Sequence, residues 1–181
     1  LGSSSSQINT GHRGFSFQAD APLDMRFNPN ANPSAKEFLN DSDEQEISDV
    51  IHAYGEERHH RKIAHYIIQA AQEGKMHTTF DLKAVISKCV HPRFLNKSLA
   101  RVFQAIRIKI NDELNALKEA LDCSAEWLIV GGRISVISFH SLEDRIIKHF
   151  FLKAEKTCIC PREYPVCVCK TIPTYKVLTR K

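Results

Sequence analysis

Between residues 34 and 121 apolar side chains recur at helical spacing, in short runs separated by capping and breaking residues. Ser34-x-x-Glu37 and Ser42-x-x-Gln45 are capping-box patterns, which satisfy the orphan N–H groups of a helix start. The second predicts a helix with Ile47, Val50, Ile51 and Tyr54 on one face, closed by Gly55. A third, from about Glu56 to Gln72, carries Ile63, Ala64, Ile67, Ile68 and Ala71, with Gly74 beyond it. A fourth, near Thr79 to Cys89, shows Leu82, Val85, Ile86 and Cys89. It stops at His91-Pro92, because a residue before proline disfavours the helical well. From Asn96 one stripe runs through Leu99, Val102, Phe103, Ile106 and Ile110 and continues in Leu114, Leu117 and Leu121. A break near Asn111 predicts two helices there rather than one rod.

The period then changes. Gly131-Gly132 ends the helix, and Ile134, Val136 and Ile137 read as a β-strand ending at Phe139. A helix from Leu142 to Lys153 follows, with a weaker strand candidate around Tyr175 to Leu178. Helix, glycine turn, buried strand, polar loop, helix is the rhythm of an open α/β sheet. Residues 1–33, with Gly2, Gly11, Gly14, Pro22, Pro29 and Pro33, read as an irregular loop region. One strand does not make a sheet, and no glycine-rich nucleotide loop is present. Together with the missing initiator Met, this favours the C-terminal part of a larger α/β domain over a helical fold with a token hairpin.

Composition narrows the class further. Hydrophobic residues make up 43% and charged ones 25%, an ordinary globular balance. The longest apolar run, Trp127 to Val130, is far short of the about 20 residues of a membrane helix. No secretory signal opens the chain, and the expected location is the cytoplasm. Net charge is only +4, but it is segregated. Residues 34–55 balance at −5, 56–109 at +7, 110–144 at −5 and 145–181 at +7. Such basic segments suit a polyanionic partner, although Lys-rich solvated faces produce the same count.

Of six cysteines, Cys89 and Cys123 sit at apolar helix positions and read as small buried hydrophobes. The others form Cys158-x-Cys160 and Cys167-x-Cys169. Four thiolates could hold a tetrahedral Zn²⁺, but metal knuckles usually use Cys-x-x-Cys. Reduced thiols or a redox-labile pair are the simpler reading, and no metal is assigned.

Two loops concentrate chemistry. Ser138 to Arg145 puts His140, Ser141, Asp144 and Arg145 after the predicted strand, where open α/β sheets bind ligands. His140 can exchange protons near neutrality. The plainer alternative makes Ser141 a helix cap, His140 a turn residue, and Glu143 and Asp144 complements to the helix dipole. The segment Arg13-Gly14-Phe15-Ser16-Phe17 through Asp20 and Pro22-Leu23-Asp24-Met25-Arg26 interleaves two arginines, two aspartates and two phenylalanines. It reads as an RNA contact surface with stacking platforms, or as a loop whose phenylalanines anchor it while arginines pair with aspartates.

Taken together, these stretches resemble the ribosomal RNA small subunit methyltransferase H (MraW) family. The match runs in order through Leu1 to Gln7, the Arg13–Arg26 segment, Tyr54-Gly55-Glu56-Glu57-Arg58, and His91-Pro92. It continues through Phe103 to Ile108 with Asn111-x-Glu113-Leu114, then Gly131-Gly132-Arg133 through Lys148. Ser6 replaces the usual proline of the first motif. The resemblance implies S-adenosylmethionine-dependent N4-methylation of a cytidine in the decoding centre of 16S-type rRNA. It implies a C-terminal fragment of a Rossmann-like methyltransferase, with an inserted all-α substrate-recognition domain, lacking the N-terminal strands that bind the methyl donor.

The expected fold class is therefore α/β. Residues 1–33 would be a methyltransferase-domain loop region, 34–110 the helical insertion, and 111–181 the C-terminal part with a Cys-rich tail. By the same resemblance Ser4, Ser5 and His140 are catalytic acceptor or orienting groups, and Gln7 contacts the cofactor. Arg13, Arg26, Arg107, Ser141, Asp144 and Arg145 meet the substrate. Implied partners are small-subunit rRNA and the 30S-type subunit, with no membrane and with a homodimer of the intact enzyme. The chain alone is expected to be catalytically deficient. Competing readings are a non-catalytic RNA-binding module and a zinc-stabilised structural fragment.

Overall fold

A computed structural model of the chain describes residues 13–30, 33–158, 160, 168–169 and 171–179. Its helices are α1 (Ala35–Asp41), α2 (Glu44–Gly55), α3 (His60–Gln72), α4 (Thr79–Cys89), α5 (Leu95–Asn111), α6 (Glu113–Trp127) and α7 (Ser141–Ala154). A 3-10 turn, Pro92–Phe94, leads into α5. The described residues fall into two compact units that divide between Glu113 and Leu114.

The capping chemistry sets the helix starts. Ser34 and Glu37 form the expected reciprocal box at α1. At α2 the cap moves one residue on, to Asp43, whose carboxylate accepts from the Glu46 N–H at 2.7 Å. Thr78 and Asp81 close a second full box at α4, whose span matches the sequence reading to the residue. The predicted break after Ile110 is also present. Asn111 ends α5, and Asp112 turns left-handed at φ +49° before α6 begins.

In the first unit α5 lies between α2 and the α4 side, and α3 packs on both α2 and α4. Its centre is Ile47 and Ile51 from α2, Ile63 and Ile67 from α3, Leu82 and Ile86 from α4, and Leu99, Val102 and Ile106 from α5, all buried. Each such side chain contributes about 1.5–3 kcal/mol by leaving water. Gly55 is not the helix-closing glycine expected. It is the last residue of α2, and the left-handed cap falls to Glu56 at φ +49°. Glycine is needed because a Cβ there would lie 2.8 Å from the Arg101 carbonyl oxygen of α5. Next to it, buried Glu57 accepts from Ser98 Oγ at 2.8 Å and from the His59 N–H at 3.1 Å, which ties the α2–α3 link to α5.

The second unit contains α6, α7 and the segment that follows. Phe150, Phe151 and Tyr175 form a ring cluster with centroids 5.2–5.8 Å apart. The Tyr175 hydroxyl lies 2.6 Å from Ser124 Oγ of α6.

The α/β expectation is corrected here. The described residues form an all-helical fold with no strand; extended pairing is limited to one isolated bridge, Pro22 to Thr78. Residues 133–138 have strand composition but, among the described residues, no strand beside them, so their N–H and C=O groups have no ladder to enter there. Ile137 and Phe139 stand exposed rather than buried in a sheet. Tyr175 to Leu178 likewise lacks regular structure. Alternation of apolar residues marks a strand only when a neighbour is available to pair with it.

Candidate functional site

The 13–30 loop has little regular structure yet is fixed along its length. Leu23 N–H donates to the His77 carbonyl at 3.0 Å, and Thr79 N–H to the Ala21 carbonyl at 2.9 Å. The N–H groups of Ala35 and Lys36 donate back to Asp24 and Leu23 at 2.8 and 2.7 Å. Gly14 is required, since a Cβ at its φ of +70° would run into the Pro22 carbonyl. Phe15 stacks on Phe27 at 5.6 Å and Phe17 meets Phe103 edge-on at 5.5 Å. Both rings therefore anchor the loop to the core.

At the end of α5 the loop meets one side chain that holds it. Asn111 Nδ2 donates to the Met25 carbonyl at 2.7 Å and to the Arg107 carbonyl at 2.9 Å. Its Oδ1 accepts from the Phe27 N–H at 2.7 Å. An amide side chain thus makes the two bonds that a neighbouring strand would make. Met25 itself is fully buried at φ +58°, a left-handed conformation that costs a non-glycine residue about 1–2 kcal/mol. Such strain persists only where surroundings impose it, and it is concentrated at functional sites.

Three of the arginines singled out from sequence converge here. The Arg13 carbonyl accepts from the Met25 N–H at 2.9 Å. Arg26 grips Asp24 through Nε at 2.6 Å and Nη2 at 3.1 Å. That hydrogen-bonded guanidinium holds the Asp24 carboxyl below its usual range against the opposing effect of burial, and the charge of Arg13 adds to it. Arg107 grips Glu113 in the same bidentate way, at 2.7 and 3.2 Å, with the Glu113 carboxylate almost fully buried. Asn111, which bonds the backbone of Met25, Phe27 and Arg107, stood within a recognised motif but was not among the candidate site residues. A polar amide at a predicted helix break was the signal.

In the second unit His140, rather than Ser141, caps α7: its Nδ1 accepts from the Glu143 N–H at 3.4 Å. His140 Nε2 lies 3.4 Å from Glu143 Oε1, while Glu143 Oε2 accepts from the Phe139 N–H at 2.8 Å. Both ring nitrogens are thus turned toward their own helix start. Ser141 is the exposed first residue of α7, Asp144 pairs with Lys148 at 2.6 Å, and Arg145 is exposed. Ser4, Ser5 and Gln7 lie outside the described residues.

These features define a helical protein in which a strained, tethered loop carrying Arg13 and Arg26 is bonded to the end of the helix that carries Arg107. The MraW methylase family model matches residues 1–181, and the chain belongs to that family. It is 44% identical over 183 residues to the ribosomal RNA small subunit methyltransferase H of Clostridium botulinum (strain Kyoto / Type A2). The corresponding proteins of Heliobacterium modesticaldum and Brevibacillus brevis are 42% and 45% identical over 184 and 185 residues. In each case the whole of this chain is covered, and it spans 59% of the relative's length.

Proposed function

We propose that this chain serves an rRNA methyltransferase that transfers a methyl group from S-adenosylmethionine to the exocyclic N4 of a cytidine in the decoding centre of small-subunit rRNA. The observation that carries this reading is a family match running through both units, including the tethered arginine loop. The partner is small-subunit rRNA within a 30S-type particle in the cytoplasm, and the intact enzyme is a homodimer. None of the described helices is long and apolar enough to cross a membrane.

A cytosine amino nitrogen is a poor nucleophile because its lone pair is delocalised into the ring. Transfer needs in-line placement, acceptors for the N–H protons, and a base withdrawn from its stack. S-adenosylmethionine supplies an electrophilic methyl group when bound. The described residues do not fit it. Gln7 lies outside them, and a cavity of about 440 Å³ along α2 is an open groove in which Asp43, Glu46, Asp49 and Lys109 surround Val50, Ala53 and Tyr54, acidic and unenclosed where a donor pocket buries its ligand. This chain's own task is RNA placement. Arg13, Arg26 and Arg107 contact backbone phosphates, and the carboxylates of Asp24 and Glu113 fix the last two before RNA arrives, reducing the ordering cost of binding. Ser4 and Ser5 are assigned an acceptor or orienting role and His140, separately, an orienting one through the helix start it caps, while Ser141, Asp144 and Arg145 meet the substrate. On α4 and before α5, exposed Phe80 and Phe94 lie under Lys83 and Arg93 at 5.0 and 5.7 Å, a pairing suited to stacked bases.

The test uses small subunits that lack the modification, incubated with S-adenosylmethionine and the chain, either alone or joined to the remaining part of the Clostridium relative. Nucleoside mass spectrometry should find N4-methylcytidine with the joined protein and none with the chain alone. Methylation of another base, or none with the joined protein, overturns the reading. Tight rRNA binding by a joined protein that never binds the donor supports a non-catalytic RNA-binding role instead.

A further inference from the structure

Beyond α7 the chain leaves and returns to the same helix end. The Thr174 N–H donates to the Ala154 carbonyl at 3.0 Å, and the Val177 N–H donates to Glu155 Oε1 at 3.0 Å. Tyr175 closes the return on Phe150 and Phe151. Cys158 and Cys160 lie on the outgoing arm and Cys169 on the returning one. Their three sulfurs all fall within 4.8 Å of one another.

The spacing of these sulfurs is informative. Cys158 and Cys169 Sγ are 3.8 Å apart, nearly twice the about 2.05 Å of an S–S bond. A tetrahedron with Zn–S bonds of about 2.3 Å has edges of about 3.8 Å. The pair thus already spans one edge of a zinc–thiolate site. Thr171 Oγ1 donates to Cys169 Sγ at 3.1 Å, the kind of outer hydrogen bond that orients a ligating sulfur and stabilises its negative charge. The surrounding segment, residues 145–181, balances at +7, which offsets the excess negative charge of several thiolates on one divalent ion.

We infer that Cys158, Cys160 and Cys169 are ligands of one structural Zn²⁺ that ties the outgoing arm of the tail to the returning one. The Cys-x-Cys spacing, which argued against a metal in the sequence, is compensated by the returning arm, which supplies the third sulfur. Cys167 lies outside the described residues.

The 181-residue chain, prepared under reducing conditions, should contain one zinc per molecule by plasma mass spectrometry. With Co²⁺ in place of zinc it should show sulfur-to-cobalt charge transfer and the intense ligand-field bands of a tetrahedral thiolate site. Cys158→Ser, Cys160→Ser and Cys169→Ser should each weaken zinc retention against a competing chelator by about tenfold or more, with helical circular dichroism unchanged. Cys123→Ser, an exposed cysteine on α6, should leave retention intact. A metal-free wild-type chain, full retention in the three variants, or a Cys158–Cys169 disulfide in metal-free protein handled without oxygen would each overturn the assignment.

Discussion

Gly55→Ala sets two opposing effects against each other. Glycine in a helix costs about 0.5–1 kcal/mol relative to alanine, so propensity alone has the substitution stabilise α2. Packing has the opposite sign. The new Cβ would sit 2.8 Å from the Arg101 carbonyl oxygen and 3.3 Å from Ala105 Cβ. The first of these is backbone inside α5 and cannot swing away, so α2 and α5 must separate along their closest line of contact. Overpacking of this kind costs about 1–3 kcal/mol. Separation also stretches the bond from Gln104 Nε2 to the Tyr54 carbonyl, now 3.2 Å. The net expectation is a loss of about 1–2 kcal/mol. For a chain of this size that lowers the thermal midpoint by about 3–6 °C. Urea unfolding followed by circular dichroism should show a lower midpoint with an unchanged slope. Adding Ala105→Gly should give little rescue, because the oxygen and not the methyl group is the main obstacle. A midpoint that stays put or rises would refute the close-approach argument and leave Gly55 an ordinary helix-end glycine.

Asn111→Ala should cost about 2–3 kcal/mol in the same assay, since it strips three hydrogen bonds from partly buried backbone at about 1 kcal/mol each; a loss under about 0.5 kcal/mol would remove the tether from the account. Burial, followed by the nearby charges of His52 and Arg61, lowers the pKa of His60 below its usual 6.5. The folded state then binds its proton less readily than the unfolded one. Stability from this group is present above pH 6.5 and declines as pH falls through that value toward the folded pKa, and His60→Asn should flatten the slope. The bond between Ser48 Oγ and His60 Nδ1, 2.8 Å, gives the variant a polar partner to keep. Burial also raises the Cys89 thiol, so iodoacetamide at pH 8 should label exposed Cys123 well before Cys89, as read by peptide mass spectrometry. Equal labelling rates would contradict the buried position.

Local signals carried most of the helical architecture. Ser34 with Glu37 announces a helix start because the capping partners are three residues apart, whereas the box read at Ser42 falls one residue before the true cap, Asp43. The α5–α6 break was equally legible from the stripe around Asn111. What failed was the inference from local pattern to distant neighbours. Ile134, Val136 and Ile137 have strand character, but nothing in a single segment says whether a second strand lies beside it. Gly55 looked like a helix stop for the same reason, since Arg101 approaches it from far along the chain. Pairing of the loop arginines with aspartates was one of the two sequence readings, and Arg26 with Asp24 fulfils it, whereas the Glu113 partner of Arg107 followed only from the fold. The three sulfurs illustrate the same limit, because the Cys-x-Cys spacing gives no hint that the chain doubles back to bring Cys169 to Cys158.

The Asn111 amide has a kinetic consequence. The proton on the Phe27 nitrogen is protected by a side chain 84 residues further on, at the last turn of α5. Its exchange with deuterated solvent therefore reports fraying of that distant helix terminus and not motion of its own surroundings. Any change that loosens the terminus releases the backbone between Met25 and Phe27 at the same rate, so the presentation of Arg26 and the integrity of α5 open and close as one event.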